Sequence, residues 1–251
     1  MRTNSYSELF FANHVDGSLR SAREIIPLLF KFVRPQSVVD VGCGLGAWLA
    51  IFGEHGVTNV AGIDVNYIDR SKLMIRNEQF FPFDLSKRFS LDRRFDLVIS
   101  LEVAEHLPAS SAEGFVSSLV SLGKLVLFSA AIPGQGGTNH LNEQWPSYWE
   151  MRFLEHGYER IDCLRPLIWE NDKVQIHYRQ NAFIYAESSV LKSSHALSEA
   201  KAATGIAPMR LVHPSLWEAE HLNAVPTLGS LFKSLPGAFA RAFQSRVLKN
   251  L

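Results

Sequence analysis

Short apolar runs recur between residues 37 and 130 and alternate with segments of helical character. The runs read S-V-V-D-V, T-N-V-A-G-I-D-V, Q-F-F-P-F-D-L, R-F-D-L-V-I-S-L-E and L-G-K-L-V-L-F-S-A-A. A parallel sheet is covered on both faces, so its strands read as continuous apolar runs. Strands that alternate with helices are typical of doubly wound folds. The pattern therefore predicts an α/β protein with a doubly wound, mostly parallel sheet.

Two more strands are predicted near residues 158–164 and 182–186, on either side of the polar segment W-E-N-D-K-V-Q-I-H-Y-R-Q-N. We expect them to form an antiparallel hairpin at one edge and to complete a seven-stranded sheet. An amphipathic helix is predicted over residues 18–33, where R-P follows. The predicted organisation is an N-terminal helical lid (1–34), the sheet domain (35–187) and a helical C-terminal extension (188–251).

The C-terminal extension ends in a basic, amphipathic segment with no acidic residue after Glu220. Apolar residues recur in it at four-residue steps, with basic residues among them: Leu231, Leu235, Phe239, Phe243, Val247 and Leu251, with Lys233, Arg241, Arg246 and Lys249. Such a helix packs on its own domain, forms a homodimer contact or makes a peripheral contact with a membrane. Pro236 and Gly237 interrupt it, which favours packing or dimerisation.

Composition narrows the class of protein. The formal net charge is zero with 20% charged residues, so there is no global positive field and no DNA partner is expected. Two cysteines are too few for a disulfide framework and suit a reducing compartment. The sequence shows neither a signal-peptide pattern nor an apolar run long enough for a transmembrane segment. We therefore expect a cytoplasmic protein.

The first predicted strand leads into the glycine-rich turn D-V-G-C-G-L-G, which holds Asp40, Gly42, Gly44 and Gly46. Glycine permits a tight turn and the close approach of a ligand at a helix N-terminus. The turn, extended to Ala47, also fits the degenerate dinucleotide fingerprint. A nicotinamide-dependent oxidoreductase is therefore an alternative interpretation of this turn.

Carboxylates also end the next two predicted strands. Asp64 closes the second, where a carboxylate can accept hydrogen bonds from both ribose hydroxyls. Asp84 closes the third, in reach of an adenine amino group. Ligands of open α/β sheets bind at the carboxyl ends of the strands, so we expect these side chains to face one crevice.

The fourth predicted strand is followed by L-E-V-A-E-H-L, which holds Glu102, Glu105 and His106. In a helix these positions share one face of one turn. An imidazole oriented by a carboxylate can act as a general base, and two carboxylates with an imidazole can also bind a divalent ion. His140, in the loop G-Q-G-G-T-N-H after the fifth strand, is a candidate fourth ligand. The residues alone leave a metal-free base and a metal site open.

In this order, D-V-G-C-G-L-G, I-D, F-D-L and F-D-L-V-I-S-L-E-V-A-E-H-L resemble class I S-adenosylmethionine-dependent methyltransferases, over about residues 35–130. The resemblance implies a Rossmann-like methyltransferase fold with S-adenosylmethionine as cofactor. The cofactor-binding residues that it implies are Asp40 and Gly42 for the methionine end, Asp64 for the ribose, Asp84 and Leu85 for the adenine, Leu101 and Glu102 for the cleft floor, and Gly44, Gly46 and Val65 beside them.

The E-x-x-E-H segment is similar to that of two groups of methyltransferases. Ubiquinone-pathway O-methyltransferases carry it after the fourth strand with a divalent ion, and RNA 2′-O-methyltransferases of small-RNA 3′ ends combine it with a later loop histidine. The resemblance implies Glu102, Glu105, His106 and His140 as catalytic residues and as ligands of Mg²⁺ or a similar ion. Similar segments also occur in methyltransferases without a metal, so His106 as a metal-free base stays the alternative.

The segments I-P-G-Q-G-G-T-N-H-L-N-E-Q-W-P-S-Y-W and I-W-E-N-D-K-V-Q-I-H-Y-R-Q-N resemble methyltransferases of bacterial glycan- and sugar-modifying systems. Their polar and aromatic side chains suit a polyhydroxylated acceptor better than a lipid quinone. The predicted acceptor-binding residues are Asn139, Asn142, Gln144, Trp145 and Arg179, with Gln180 and Asn181 beside them and Tyr6 and Arg23 from the lid. Trp149, four residues after Trp145, is expected either in the helix core or with Trp145 in a platform for a sugar ring.

The expected activity is methylation of a hydroxyl on a sugar, glycan or related polar small molecule. The alternatives are an NAD-dependent oxidoreductase, a methyltransferase for an RNA 2′-hydroxyl or a natural product, and a non-catalytic protein that binds the cofactor. Methylation of nitrogen or carbon also stays open.

Overall fold

The fold is a seven-stranded sheet with helices on both faces, seen in a computed structural model that describes residues 8–66, 68–204 and 210–223, without the side chains of 8–14 and 219–223. The strand order is β3-β2-β1-β4-β5-β7-β6. The strands are β1 (Ser37–Val41), β2 (Asn59–Asp64), β3 (Phe80–Pro82), β4 (Leu97–Leu101), β5 (Leu125–Ser129), β6 (Tyr158–Ile161) and β7 (Phe183–Glu187). The first five pair in parallel, whereas β7 pairs antiparallel with both β5 and β6. The prediction of a mostly parallel sheet with an antiparallel edge hairpin is confirmed.

Nine α-helices are found among the described residues. They are α1 (Glu8–Leu29), α2 (Ala47–Glu54), α3 (Ala112–Leu122), α4 (Pro146–Glu155), α5 (Arg165–Ile168), α6 (Ile176–Asn181), α7 (Ser188–Ser193), α8 (His195–Thr204) and α9 (Pro214–Asn223). None of these helices combines the length and the apolar character needed to cross a bilayer.

Alternate residues of each strand enter different cores, as expected for a sheet covered on both faces. Val38 and Ile99 face one core, which includes Ile26 of α1 and Phe52 of α2. The other face holds a second core of residues from β1, β4 and β5 with α3 and α4: Val39, Val41, Val98, Val126, Phe115, Leu119, Trp149 and Phe153. Trp149 is 2% exposed and is therefore core rather than part of a sugar platform.

The division into compact units differs from the predicted domain boundaries. Residues up to His213 form one unit, and Pro214 begins a second unit to which α9 belongs. Ile26 of α1 and Leu197 of α8 lie in the same core as the strands, so neither 34/35 nor 187/188 separates independent parts. The residues of the predicted basic C-terminal helix, 231–251, lie outside the described residues, as does Tyr6.

Candidate functional site

The glycine-rich turn connects β1 to α2 at the carboxyl edge of the sheet. Gly42, Gly44 and Gly46 have φ angles of 84°, 53° and 86°, in the left-handed region that favours glycine. The amides of Gly42 and Cys43 both donate to the carbonyl of Ile63 in β2, at 2.7 and 3.1 Å. The turn is thus fixed to the second strand, as a rigid cradle for a ligand requires.

Gly42 also brings the turn into contact with the segment after β4. A Cβ atom at this position would lie 2.3 Å from Cγ2 of Val103. Val103 stands in the middle of E-V-A-E-H. The glycine-rich turn and the Glu102–His106 segment therefore belong to one site.

Asp64, at the end of β2, closes the glycine-rich turn from the other side. Its two carboxylate oxygens accept hydrogen bonds from the amides of Gly44 and Val65, both at 2.7 Å. Burial raises the pKa of Asp64 despite these two hydrogen bonds. Burial and the nearby charge of Asp64 likewise raise the pKa of Asp40 well above its usual range. Two carboxyl groups of high proton affinity therefore lie beside the turn.

Asp84 is the third predicted carboxylate, and it stands two residues beyond the end of β3. The amide of Phe83 donates to the carbonyl of Asp64 at 2.9 Å, which keeps this segment beside the second strand. The Asp84 side chain is exposed and accepts hydrogen bonds from the Ser86 hydroxyl and amide, which lower its pKa. Leu85 is buried in the core.

The segment after β4 is not the helical turn that would place Glu102, Glu105 and His106 on one face. Glu102 has a φ of 56°, and only Ala104–His106 forms a 3-10 turn. The two glutamates differ in their surroundings: Glu105 is fully buried, whereas Glu102, although close enough to Glu105 to raise its pKa, is hydrogen-bonded to other partners.

The partners of Glu102 are two side-chain amides from distant segments. Nε2 of Gln135 donates to Oε2 at 2.8 Å, and Nδ2 of Asn181 donates to Oε1 at 3.1 Å. Gln135 was not predicted as a site residue, and Asn181 was expected only as a polar neighbour of the cleft. Glu102 and these partners lie directly after β4, whose last residue, Leu101, is buried.

Glu105, His106 and His140 form a second group, with one candidate ligand atom from each within 4.8 Å of the others. The rings of the two histidines are 4.9 Å apart and nearly perpendicular. Burial, then the charge of Glu102, raises the pKa of Glu105 well above its usual range. Neither carboxyl oxygen of Glu105 has a hydrogen bond of ordinary geometry. The backbone amides of Glu105 and Ala131 lie near enough to favour the ionised form of this carboxyl group and so to lower its pKa in part.

A divalent ion fits this group. A buried carboxylate with little hydrogen bonding is costly unless a positive charge compensates it. A carboxylate and two imidazoles suit Mn²⁺, Fe²⁺ or Zn²⁺ at least as well as Mg²⁺, which prefers oxygen ligands. The structure does not bring Glu102 into the group, because its carboxylate is engaged by Gln135 and Asn181.

Glu143 holds the loop that carries His140. Its carboxylate accepts hydrogen bonds from the amides of Gly134 and Gly136 at 2.8 and 3.0 Å, and Oε1 lies 2.8 Å from Nδ1 of His140. A proton on Nδ1 then leaves Nε2 as the basic nitrogen. Glu143 was missed from the sequence, although its spacing of three residues from His140 is visible there.

The predicted acceptor-binding residues of the loop lie near this group. The amides of Leu141 and Asn142 donate to the carbonyl of Glu105 at 2.7 and 3.0 Å. Asn142 is 3% exposed, and its oxygen accepts a hydrogen bond from Gln144 at 2.9 Å. Asn139 is exposed in a left-handed conformation with a φ of 60°. Asn139, Asn142 and Gln144 therefore flank His140 along the loop, whose main chain is fixed to Glu105.

The aromatic and basic candidates are more dispersed. Trp145 precedes α4, and the guanidinium of Arg210 lies 5.9 Å from the centre of its ring. Arg179, on α6, donates to the carbonyl of Trp169 at 3.3 Å. The prediction for Arg23 is corrected, because its guanidinium binds Glu54 at 3.1 Å. Glu54 ends α2, which begins at the carboxyl edge and runs away from it, so Arg23 lies far from the cleft.

The comparisons with known proteins identify the family and the fold. A family model described as a methyltransferase domain matches residues 11–165. The fold is similar to that of DesVI from Streptomyces venezuelae, with a TM-score of 0.54 and 13% identity over 72% of this chain and 96% of that one. It is also similar to the sugar N-methyltransferase KedS8 from Streptoalloteichus, with a TM-score of 0.53 and 16% identity over 74% and 98% of the chains. Magnesium protoporphyrin IX methyltransferase from Synechocystis, with bound SAH, matches with a TM-score of 0.51 and 17% identity over 74% and 89%.

Proposed function

The chain belongs to the methyltransferase domain family and is a methyltransferase, and from that premise we propose that it moves a methyl group from S-adenosylmethionine to a hydroxyl of a sugar, glycan or related polar small molecule. One observation supports the proposal most strongly. The glycine-rich turn and the group of Glu105, His106 and His140 lie in one site, joined by the contact of Gly42 with Val103. A methyl donor and a group that removes a proton are thereby adjacent.

The residues at the turn fit S-adenosylmethionine. The left-handed glycines and the close approach at Gly42 leave room for a ligand against the backbone. The buried carboxylate of Asp40 and the half-buried carboxylate of Asp64 suit the donor groups of the methionine end and of the ribose. A methyltransferase of the same fold has been crystallised with S-adenosylhomocysteine, the demethylated product. When bound, the cofactor supplies a methyl group on a positively charged sulfur.

The reaction is an in-line displacement, for which the protein supplies position and removes a proton. The acceptor hydroxyl gives its proton to the imidazole of His106, its oxygen forms the new bond to the methyl carbon, and the carbon–sulfur bond breaks. Glu105 lies beside His106 and stabilises the positive imidazole. His140, oriented by Glu143, lies beside the ring of His106.

The alternative role of the same group is to hold a divalent ion. Glu105, His106 and His140 would be its ligands, and the ion would lower the pKa of a hydroxyl bound to it. Glu102 is then proposed to serve the cofactor side, since its oxygens are already occupied by the amides of Gln135 and Asn181.

The sugar-like acceptor is supported by the amide and aromatic side chains that follow His140 in the same loop. Asn142, Gln144 and Trp145 provide hydrogen-bonding groups and a ring face, which suit a polyhydroxylated ring. The similarity to a sugar N-methyltransferase also makes an amino sugar the second candidate acceptor.

Calorimetry with S-adenosylhomocysteine and with NAD⁺ tests the cofactor. Binding of the former alone supports the proposal, whereas binding of NAD⁺ alone would favour the oxidoreductase. Metal analysis of the purified protein, with a chelator test on methyl transfer, then distinguishes the metal site from the metal-free base.

A further inference from the structure

Glu102, Gln135 and Asn181 form a closed set of side-chain hydrogen bonds, which we call the polar triangle. Besides its bond to Glu102, Nδ2 of Asn181 donates to Oε1 of Gln135 at 2.8 Å. The three residues come from the segment after β4, the loop after β5 and the end of α6. Three parts of the chain are therefore fixed to one another at the carboxyl edge of the sheet.

One corner of the polar triangle is incomplete. Asn181 is 2% exposed, and its Oδ1 has no hydrogen-bond donor among the described residues. Nearby, Tyr178 on the same helix has its pKa raised to about 12 by burial, with smaller contributions from the charges of Glu102 and Asp40. These two carboxylates and the amide oxygen are all acceptors. Such surroundings favour a ligand that brings donors and positive charge, as the ammonium and sulfonium of S-adenosylmethionine do.

The opposite corner of the polar triangle reaches the loop of His140. Gln135 stands between Gly134 and Gly136, whose amides both donate to Glu143, the residue that also binds His140. The Gln135 side chain and the His140 ring are thus attached to one short, braced segment. A shift of Gln135 is expected to displace His140.

We propose that Gln135 and Asn181 are positioning residues that couple cofactor binding to the order of the loop carrying His140. This inference rests on the proposed function, because it takes S-adenosylmethionine as the ligand. The bound cofactor supplies donors to the open oxygen of Asn181 and to Glu102, which fixes the polar triangle. Gln135 then holds residues 133–142, and with them His140, in the conformation in which the acceptor binds.

Hydrogen exchange of peptides from residues 133–143, measured with and without S-adenosylhomocysteine, tests this coupling. In the unaltered protein the ligand is expected to slow exchange in the loop about tenfold. The Gln135→Ala variant is expected to lose that protection at saturating ligand. Because coupling free energies are reciprocal, its affinity should fall by the same factor, about tenfold. A purely structural role would change exchange equally with and without ligand.

Two further variants complete the test, one as a substitute for Gln135→Ala and one as a control. Gln135→Glu retains the acceptor for Asn181 but replaces the donor to Glu102, and it should lose the ligand-dependent protection even if Gln135→Ala fails to fold. Gln79→Ala removes a half-buried glutamine that is bonded to Arg76 and Thr58 rather than to the polar triangle, and it should keep the ligand-dependent protection of the loop. The inference is overturned if the unaltered protein binds S-adenosylhomocysteine without loop protection, or if folded Gln135 variants keep that protection. If the unaltered protein binds no S-adenosylhomocysteine, the proposed function fails, and the inference fails with it.

Discussion

Nδ1 of His140 lies 2.8 Å from Oε1 of Glu143, and the same carboxylate accepts two glycine amides of the loop between β5 and α4. Glu143 therefore sets both the ring orientation and the basic nitrogen of His140. The Glu143→Gln variant should lower methyl transfer about 10- to 100-fold, the usual cost of losing such an orienting carboxylate. The binding of S-adenosylhomocysteine, measured by calorimetry, should change far less.

Glu155→Gln is the matched control for that experiment, because Glu155 is exposed at the end of α4. It should keep both activity and affinity. Equal activity in the two variants would show that Glu143 does not orient a working group.

Gly42 offers a test of the contact between the glycine-rich turn and the segment after β4. An alanine there has an unfavourable φ of 84° and a Cβ only 2.3 Å from Val103. The Gly42→Ala variant should lose about 2–4 kcal/mol of unfolding free energy, from backbone strain and overpacking together. Its affinity for S-adenosylhomocysteine should fall at least about tenfold, which is 1.4 kcal/mol.

The Gly56→Ala variant separates the cost of backbone strain from the cost of overpacking. Gly56 has a similar φ of 88°, but no atom lies within 4 Å of a Cβ built on it. Chemical denaturation should show only the cost of backbone strain, a loss of about 1 kcal/mol or somewhat more of unfolding free energy. Calorimetry should show unchanged affinity for S-adenosylhomocysteine. If both variants bind the ligand as the unaltered protein does, Gly42 does not shape the cofactor site.

Burial of Asp40 makes stability depend on pH in a defined direction. Because its pKa is raised in the folded state, the native protein binds more protons than the unfolded chain above the ordinary aspartate pKa. Unfolding free energy should therefore fall as pH rises from about 4 through the raised pKa, by at most about 1.4 kcal/mol per pH unit. Asp40→Asn removes this contribution and should make the curve less steep in urea denaturation, while Asp64 and Glu105, whose pKa values are also raised, keep theirs.

Asp84 is a control because its pKa is shifted in the opposite direction to that of Asp40. Hydrogen bonds from Ser86 lower its pKa, so its contribution is present above the ordinary aspartate pKa and is lost as pH falls. Asp84→Asn should therefore leave the loss of stability toward neutral pH in place. A curve for Asp40→Asn that matches the unaltered protein would contradict a raised pKa of the buried Asp40.

The sequence predicted the sheet well, because strands buried on both faces leave continuous apolar runs that need no knowledge of distant contacts. It also placed Asp64 at the end of a strand and His140 in a loop, since strand ends and loops are local features. The roles of Gln135 and Asn181 were not predictable, because their contacts with Glu102 span 33 and 79 residues. The helical face expected for Glu102–His106 was wrong, because a left-handed Glu102 reverses the direction of its side chain. The prediction that Arg23 binds the acceptor was wrong, because a helical pattern does not show which end of a helix lies near the cleft.

Methyl transfer by the intact protein tests the central claim most directly. The protein is incubated with methyl-deuterated S-adenosylmethionine and a panel of sugars, amino sugars and nucleotide sugars, and products are identified by mass spectrometry. We expect one acceptor to gain the labelled methyl group on oxygen, with S-adenosylhomocysteine formed in equal amount, and no product with the His106→Ala variant. Label transfer that is unchanged in His106→Ala, or no transfer while NAD⁺ is bound and reduced, would contradict the proposed function.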